Sequence, residues 1–290
     1  MSHIPQILDG RIARAELKKA LIERVSRYSG SDNSKRPRLV IIQVGNRDDS
    51  NYYIRAKKKF AAEIGVDEKH LQFGDDVTQD ELLRVIETAN NDVGVQGIIV
   101  QLPLPVSINK DAVLAAIAPK KDVDGLGAVN VSKWLEARED AILPATIRGV
   151  RELLQFYNIP LAGKHVVMMG RSSLVGKPMA AMCLGENATV TVCHSKTLDT
   201  AKYTKEADIL IVAIGKPNHI DASYVRKGQI VIDVGITSVE GKLVGDVDFD
   251  SVKGIVEAIT PVPGGVGQMT VLALFENLID AVLGKADMVE

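Results

Sequence analysis

Short runs of Val, Ile and Leu alternate along the chain with longer segments in which apolar residues recur at helical spacing. Each short run ends in a turn signal, which is typical of central parallel strands covered on both faces. The runs that predict strands are RLVIIQVG, GVQGIIVQLP, KHVVMMG, ATVTVCHS, ADILIVAIG and GQIVIDVG. Helical spacing predicts a helix from about Ser50 to Ile64 and a last strong helix over MTVLALFENLIDAVLG. This alternation indicates a parallel α/β architecture.

A loop at LPATIRGVRELL separates two groups of strands and predicts a domain boundary. Residues 149–268 are expected to form a self-contained nucleotide-binding domain, and residues 1–148 a separate α/β lobe. The closing helix, residues 269–290, has apolar positions that suit packing on either lobe, so periodicity alone leaves its position open.

Composition and charge exclude several classes of protein. With 46% hydrophobic and 25% charged residues among 290, the chain has a globular and not a disordered composition. A formal net charge of −2 offers no overall attraction to nucleic acid or to an anionic membrane, so neither partner is expected. Two cysteines are too few for a disulfide framework, and the N-terminal segment lacks a signal-peptide pattern. No apolar run reaches the roughly 18 residues of a membrane helix, so we expect a soluble, cytoplasmic protein.

The segment KHVVMMGRSSLVGKP has the features of a phosphate-binding turn. Gly170 ends a predicted strand and permits a tight turn, and Gly176 permits close backbone approach before the next helix. The free N–H groups at the start of that helix suit an anion. The spacing of the two glycines departs from G-x-G-x-x-G, so a plain strand-to-helix turn remains the alternative.

The strand that follows this turn distinguishes between cofactors. A NAD site carries an Asp or Glu at the end of that strand, about 20 residues on, for the ribose hydroxyls. Here the strand ends in CHSKT, with Ser195 and Lys196 and no acid, and Arg171 follows the first glycine. Cationic and hydroxyl groups suit a 2′-phosphate, so the sequence favours NADP. For Lys196, a solvated loop position is the alternative.

The run AKKKF in the Ser50–Ile64 helix contains three lysines that lie on different faces. The apolar stripe of that helix consists of Tyr53, Ile54, Phe60, Ala61 and Ile64. At about 3.6 residues per turn, Lys57 falls within the stripe, Lys58 on its flank and Lys59 on the opposite face.

Two interpretations of Lys57 remain open. In one, it packs its stem against apolar side chains and sends its ammonium group to water. In the other, partial burial lowers its pKa enough for acid–base chemistry. Tyr53, one turn earlier, is placed to hydrogen-bond it. Gln101 follows the predicted strand GIIV, at the carboxyl edge where ligands bind in open α/β sheets.

Six segments together resemble a known family. In chain order they are VGNRDDSNYYIRAKKKFAAEIGV, VQLPLP, KDVDGL, VVMMGRSSLVGKP, CHSKT and TPVPGGVGQMT. They resemble the bifunctional methylenetetrahydrofolate dehydrogenase/methenyltetrahydrofolate cyclohydrolase family, in the family's order, over about residues 40 to 275. Because six segments match in order, the resemblance is specific.

The resemblance implies an activity and an architecture. The activity is the NADP-dependent oxidation of 5,10-methylenetetrahydrofolate, followed by hydrolysis of the methenyl product to 10-formyltetrahydrofolate, in one-carbon metabolism and purine biosynthesis. The architecture is an N-terminal α/β catalytic lobe and a Rossmann-like parallel-sheet NADP-binding domain, with a cleft between them. The resemblance also implies that helix 269–290 packs back on the N-terminal lobe and that the protein is a homodimer through its cofactor domain.

The resemblance also assigns site residues. It implies catalytic roles for Lys57, Tyr53 and Gln101. Substrate contacts are implied for Tyr53, Asp124, Pro263, Gly264 and Gly265. Cofactor contacts are implied for Gly170, Arg171, Ser172, Gly176, Ser195 and Ile236, with the 2′-phosphate shared by Arg171 and Ser195.

The chemistry of the two steps fits these residue types. Oxidation of a methylene carbon between two nitrogens requires orientation more than it requires a base. Hydrolysis requires water to attack and protons to move, which suits a tuned lysine such as Lys57. A neutral lysine also avoids repelling the cationic methenyl compound. Asp124 can accept hydrogen bonds from the pterin, and the nearby Asp122 is expected to be structural.

Several positions depart from the family's usual pattern. Where Pro-Cys-Thr-Pro-Lys-Gly is common, the chain reads PATIRG, which changes the residues at Ala145, Ile147 and Arg148. Gln268 stands where proline is common, and Gly127 replaces a polar residue after KDVDGL. These loops leave the balance of the two activities open.

Two alternative functions are weighed against the bifunctional enzyme. A single-activity dehydrogenase of the same family is disfavoured because Lys57 is retained. A non-catalytic NADP-binding regulator is disfavoured because Lys57, Tyr53, Gln101 and Asp124 are all present. No metal is expected, since the five histidines lack metal-ligand spacing.

Overall fold

The computed structural model of the chain describes residues 4–30 and 35–284. In these residues the strands are β1 (Gln6–Ile7), β2 (Arg38–Val44), β3 (Asp67–Phe73), β4 (Gly97–Val100), β5 (His165–Met169), β6 (Thr189–Cys193), β7 (Ile209–Val212), β8 (Ile230–Asp233), β9 (Thr237–Val239), β10 (Lys242–Val244) and β11 (Ala258–Ile259). The α-helices there are α1 (Gly10–Ser29), α2 (Asp48–Ile64), α3 (Gln79–Asn91), α4 (Lys110–Ala115), α5 (Ala128–Leu135), α6 (Ala145–Phe156), α7 (Gly176–Gly185), α8 (Thr200–Glu206), α9 (Phe249–Val252) and α10 (Val266–Leu283).

The chain divides into two compact units. The six-strand unit is made of the described residues up to 15, with 135–137 and 146–270. The three-strand unit is made of the described residues of 16–134, with 138–145 and those from 271 onward. Residues 4–15, which the sequence analysis assigned to the N-terminal lobe, lie in the six-strand unit because β1 pairs with β11. Residues 1–3, 31–34 and 285–290 of the predicted domains and closing helix lie outside the described residues.

The six-strand unit is built on a parallel sheet in the order β1-β11-β8-β7-β5-β6. The runs KHVVMMG, ADILIVAIG and GQIVIDVG form β5, β7 and β8, which are almost fully buried, as predicted. The run ATVTVCHS forms β6 at the edge of the sheet, and only its last residue is buried. The prediction that this run is a central strand is therefore wrong. An edge strand has a neighbour on one side only, which leaves Thr189 and Val192 exposed.

The three-strand unit is built on a parallel sheet in the order β3-β2-β4. One face buries an apolar cluster that includes Ile42 and Val44 of β2 together with Leu82 and Ile86 of α3. Since side chains alternate along a strand, Gln43 of β2 faces the other side, where it reaches α2. Strand β3, DEKHLQF, was not predicted, because charged and polar residues interrupt any continuous apolar run.

Among the described residues, α10 is the one helix that is both long enough and apolar enough to span a membrane. Its length and hydropathy meet the requirement by composition alone, and 67% of it is buried inside the protein, as in a core helix. Within the three-strand unit, Phe275 of α10 packs on Phe60 of α2 with ring centroids 5.4 Å apart, and neither ring is exposed. Asn277 donates hydrogen bonds to the carbonyls of Val123 and Leu143 at 2.9 and 2.8 Å.

We expect Phe275→Ala to lower the free energy of unfolding of the three-strand unit by about 3–5 kcal/mol, because it leaves a cavity against Phe60. Urea denaturation followed by fluorescence measures this, since Trp134 is the single tryptophan and lies buried in that unit. Val93→Ala, at a loop residue that is 94% exposed, is the control and leaves the midpoint unchanged. Equal midpoints for both variants would contradict the packing described here.

Candidate functional site

The turn after β5 requires glycine at two positions. Gly170 has φ +121°, and a Cβ there would lie 2.2 Å from the carbonyl oxygen of Ala213. A Cβ on Gly176, the first residue of α7, would lie 2.4 Å from the carbonyl oxygen of Gly170. The backbone is thus packed on itself at the start of a ten-residue helix. The left-handed φ of Gly170 suits the tight turn expected there, and the close contact at Gly176 leaves no space for a side chain.

The residues predicted to bind a 2′-phosphate lie around this turn. Arg171 and Ser172 are exposed in the loop before α7, and the Ser172 hydroxyl accepts long hydrogen bonds from the N–H groups of Val175 and Gly176 at 3.2 and 3.3 Å. Ser195 follows β6 and is exposed. The N–H of Gly170 donates to the carbonyl of Cys193 at 2.8 Å, which ties the turn to the end of β6. The tight glycine turn, the opening helix and the exposed Arg171 fit a dinucleotide phosphate.

Two buried aspartates hold the loops after β7 and β8, and the second of these loops contains Ile236. Asp246 accepts hydrogen bonds from the backbone of Ile214, Gly215 and Lys216 at 2.6, 2.9 and 2.7 Å. Asp233 accepts from the backbone of Gly235, Asp246 and Val247 at 2.9, 3.1 and 2.9 Å. Burial raises the pKa of Asp233 to about 7, against the lowering effect of these N–H groups. Sequence reasoning missed both residues, although an acid at the end of the apolar run QIVID is a signal for one of them.

Ile236 and the residues from Pro263 to Gly265 lie in loops of the six-strand unit. Ile236 sits between β8 and β9 and is 41% exposed. The carbonyl of Gly264 accepts from the N–H of Gly10 at 2.9 Å. A Cβ on Gly10 would lie 2.1 Å from the carbonyl oxygen of Gly265, so the first residue of α1 is in close contact with this loop.

The lysine run in α2 divides as the helical wheel predicts. Lys59 is exposed, and Lys58 lies 3.3 Å from Glu68 across the flank of the helix. Lys57 is half-buried, and its Nζ donates to Oε1 of Gln101 at 2.9 Å. Gln101 is held in turn, because its Nε2 donates to the carbonyl of Leu102 at 3.0 Å. The structure thus brings together the two polar residues that the sequence placed at this edge.

Asp124 is the charged group that faces Lys57. Burial lowers the pKa of Lys57, and the charge of Asp124 opposes that change. Burial also raises the pKa of Asp124, while Lys57 and a hydrogen bond from the backbone of Ala145 act in the other direction. Because desolvation dominates for both groups, the site favours a neutral amine beside a carboxyl that holds its proton more strongly than usual.

Asp122 and Tyr53 complete the description of the predicted residues. Asp122 is 1% exposed, and its carboxylate accepts from the backbone of Gly127 and the side chain of Asn130, each at 2.8 Å. These bonds are what a structural aspartate makes, as expected. Tyr53 is half-buried one turn before Lys57, and its ring meets Tyr52 edge-on at a centroid distance of 5.6 Å.

The departures from the family pattern have local partners. A Cβ on Gly127 would lie 2.9 Å from Oδ2 of Asp122, so that loop is tightly closed. Arg148 is 4% exposed and pairs with Glu152 at 2.5 Å. Gln268 accepts from Nη1 of Arg14 at 3.0 Å. Ala145 and Ile147 are buried in the first turn of α6.

Sequence reasoning missed Gln43, a buried polar residue on β2 in the same unit as Lys57. Gln43 is 1% exposed, donates to Asn51 at 2.8 Å, and lies 2.8 Å from Nε2 of His70. The signal was present in the sequence, because a glutamine interrupts the apolar run RLVIIQVG of a strand predicted to be covered on both faces.

A parallel sheet with a glycine turn before a helix, joined to a second α/β unit with a half-buried lysine of lowered pKa, defines a dinucleotide-dependent enzyme class. The tetrahydrofolate dehydrogenase/cyclohydrolase catalytic domain matches residues 8–124, and the NAD(P)-binding domain of the same family matches residues 144–286. The chain therefore belongs to the tetrahydrofolate dehydrogenase/cyclohydrolase family. The resemblance inferred from the six segments is confirmed.

Individual relatives agree over almost the whole chain. The bifunctional protein FolD of Exiguobacterium sibiricum is 46% identical over 275 residues, which is 95% of this chain and 98% of that protein. The bifunctional FolD enzyme of Campylobacter jejuni has a structure with TM-score 0.93 and 42% identity, covering 97% of this chain and 99% of that one. The Trypanosoma brucei FolD enzyme, complexed with NADP and inhibitor, has TM-score 0.92 and 37% identity, covering 99% and 100%.

We expect Gly176→Ala to weaken binding of NADP at least tenfold, because its Cβ would collide with the Gly170 carbonyl and open the turn. Gly254→Ala, where a Cβ would meet no atom within 4 Å, is the matched control in the same unit. Titration of each purified variant with NADP, followed by intrinsic fluorescence or calorimetry, measures the dissociation constant. Equal affinities for the two variants would exclude the turn as the phosphate cradle.

Proposed function

We propose that this chain is a bifunctional enzyme of one-carbon folate metabolism. It oxidises 5,10-methylenetetrahydrofolate to 5,10-methenyltetrahydrofolate with NADP, and then hydrolyses that product to 10-formyltetrahydrofolate. Family membership and the near-full-length likeness to bifunctional FolD proteins support the pair of activities. The observation that carries the proposal is the 2.9 Å hydrogen bond between Lys57 and Gln101 beside Asp124, since hydrolysis needs such an acid–base group.

In the hydrolysis step, Lys57 acts as the proton carrier. Water attacks the methenyl carbon, and its proton passes to the neutral amine of Lys57. The bond from that carbon to the pterin-side nitrogen then breaks, and Lys57 returns the proton to that nitrogen. The remaining hydroxyl proton leaves to solvent as the C=O forms, so the formyl group stays on the other nitrogen and the reaction releases one proton. The amine donates an N–H to the carbonyl oxygen of Gln101, a neutral partner. This bond fixes the position of the amine and leaves its lone pair free to accept the proton.

Substrate orientation falls to Asp124, Tyr53 and the Pro263–Gly265 loop. The Asp124 carboxyl offers two oxygens to the amino and ring N–H groups of a pterin, and those donors favour its ionised form on binding. Tyr53 supplies a ring face and a hydroxyl on the same helix face as Lys57. Gly264 has φ +118°, a backbone conformation that favours glycine and that fixes the path of this loop.

Cofactor binding falls to the residues around the glycine turn. Gly170, Ser172 and Gly176 would hold the phosphates at the start of α7, while Arg171 and Ser195 would share the 2′-phosphate, and Ile236 would pack on the cofactor. NADP supplies the acceptor for the oxidation when it is bound. The residues of this chain contribute orientation and charge neutralisation, which are the requirements of that step.

The proposal extends to the setting of the enzyme. We assign residues 149–268 to NADP binding and residues 1–148, with the closing helix 269–290, to folate binding and catalysis. The protein is proposed to be a cytoplasmic homodimer, assembled through its cofactor domain, that provides formyl groups for purine biosynthesis without a nucleic-acid or membrane partner. A single-activity dehydrogenase is the second candidate, and the intact Lys57–Gln101 pair argues against it.

With methylenetetrahydrofolate and NADP, the purified protein should form NADPH and then consume the methenyl absorbance. We expect Lys57→Met to lower the hydrolysis rate by about 10³-fold or more and the oxidation rate far less, because only hydrolysis requires proton transfer. Wild-type hydrolysis should rise with pH and level off below the ordinary lysine pKa of about 10.4, because burial lowers the Lys57 pKa and the neutral amine is the active form.

Lys59→Met is the matched control for that experiment, because it removes an exposed lysine of the same run. It should leave both rates unchanged. Equal and small losses in both activities for Lys57→Met would return Lys57 to a packing role. The absence of NADPH formation by folded wild-type protein would refute the proposed function as a whole.

We expect Arg171→Ala to raise the Michaelis constant for NADP by about tenfold or more and to leave that for NAD nearly unchanged, since a guanidinium pairs with the 2′-phosphate alone. Steady-state kinetics with each cofactor at saturating folate measures both constants. An unchanged value for NADP would refute the phosphate assignment.

A further inference from the structure

Three glutamines form a row across the carboxyl edge of the three-strand sheet. Gln43 of β2 is paired in register with Gln72 of β3. Gln101 directly follows Val100, which is paired with Ile42, so Gln101 stands beside Gln43 on the neighbouring strand. In parallel strands, paired residues present their side chains to the same face, so Gln43 and Gln101 both face α2.

The two glutamines attach α2 to the sheet at two points. Gln101 accepts from the amine of Lys57 at 2.9 Å. Gln43 donates from Nε2 to Oδ1 of Asn51 at 2.8 Å, in the first turns of the helix. The amide of Gln43 thus links the start of α2 to the sheet.

The amide of Gln43 is itself oriented by a third strand. Nε2 of His70 on β3 lies 2.8 Å from Oε1 of Gln43, and a ring N–H there leaves only the NH₂ group of Gln43 to face Asn51. Asn51 extends this chain of hydrogen bonds, because its Nδ2 donates to Oδ1 of Asn46 at 2.9 Å. The result is a directed chain of hydrogen bonds from His70 to Asn46 through a glutamine that is 1% exposed.

We propose that Gln43 is a positioning residue for the hydrolysis of the methenyl compound. Through its hydrogen bond to Asn51 it fixes the distance of α2 from the sheet, and this distance determines where Lys57 meets Gln101. The inference rests on the proposed role of Lys57. Gln43 acts through the helix and not on the substrate. An amine that must both bind Gln101 and carry a proton needs its geometry held within about 0.5 Å.

Loosening this attachment has a consequence that can be measured. The groups that face Lys57 are Gln101 at the end of β4 and Asp124, and burial keeps the pKa of Lys57 low. If the first turns of α2 move away from the sheet, water reaches the amine and its pKa rises towards the ordinary value. His70, which Lys58 and Glu68 face, keeps an N–H on Nε2 in both its charged form and this neutral form, so its titration leaves the chain intact.

The experiment measures hydrolysis of the methenyl compound against pH in the full-length protein. Gln43→Met and Asn51→Leu each remove the Gln43–Asn51 bond without removing bulk. We expect each to lower kcat for hydrolysis about tenfold, to shift the rising limb to higher pH, and to leave the Michaelis constant for NADP unchanged. The losses in the double variant should be less than additive, because both changes remove the shared Gln43–Asn51 bond.

Two variants separate this role from general loss of structure. Asn51→Asp keeps the oxygen that accepts from Gln43, although it loses the N–H that donates to Asn46, and should keep kcat for hydrolysis closer to that of wild type than Asn51→Leu does. Gln96→Met removes an amide that accepts from the N–H of Arg38 at 2.8 Å, just before β4 at the amino edge of the same sheet, and should behave as wild type.

The outcomes distinguish this inference from the proposed function. If wild-type protein fails to hydrolyse the methenyl compound, the proposed function fails. If wild-type protein hydrolyses it, and Gln43→Met has the same kcat and the same rising part of the pH–rate profile, only the positioning role is overturned. Equal losses of both activities at an unchanged pH limb would also overturn it. If Gln43→Met does not fold, Asn51→Leu carries the same test, because leucine is a good helix former on α2.

Discussion

The site of the three-strand unit depends on the amine of Lys57, which is desolvated by the surrounding protein. A lysine in such a place is stable only if its N–H groups find acceptors, and a full negative charge as sole partner would keep it protonated. Lys57 has Gln101, a neutral acceptor, at hydrogen-bond distance, and Asp124 as a charged neighbour whose own ionisation is disfavoured by burial. Burial therefore lowers the pKa of Lys57 and raises that of Asp124, while α2 and the end of β4 hold the amine against Gln101.

The six-strand unit meets a different constraint with the backbone alone. Its glycine turn brings two stretches of main chain closer than any side chain allows, as the clashes at Gly170 and Gly176 show. Nearby, Asp233 and Asp246 collect six backbone N–H groups between them and so fix two loops after β7 and β8. Arg171 and Ser195 are exposed near this turn.

The sequence predicts those parts of this architecture that leave a local pattern. Buried parallel strands such as β7 are continuous apolar runs, and the wheel of α2 separates Lys57 from its neighbours before any partner is known. Strands β3 and β11 escape prediction, one because its residues are polar and the other because it is two residues long. The pairing of β1 with β11 and the role of Gln43 depend on residues far apart in sequence, which no single-segment period encodes.

The pairing of Gln6 with Ala258 has a consequence for how the six-strand sheet is completed. β1 covers the outer side of β11, which would otherwise offer unpaired backbone groups as an open edge to other chains. During synthesis the residues of β1 emerge long before those of β11, so they have no strand to join until most of the polypeptide exists. Contacts of such high sequence separation form late and slowly. Until that pairing forms, the outer edge of β11 is open to other chains.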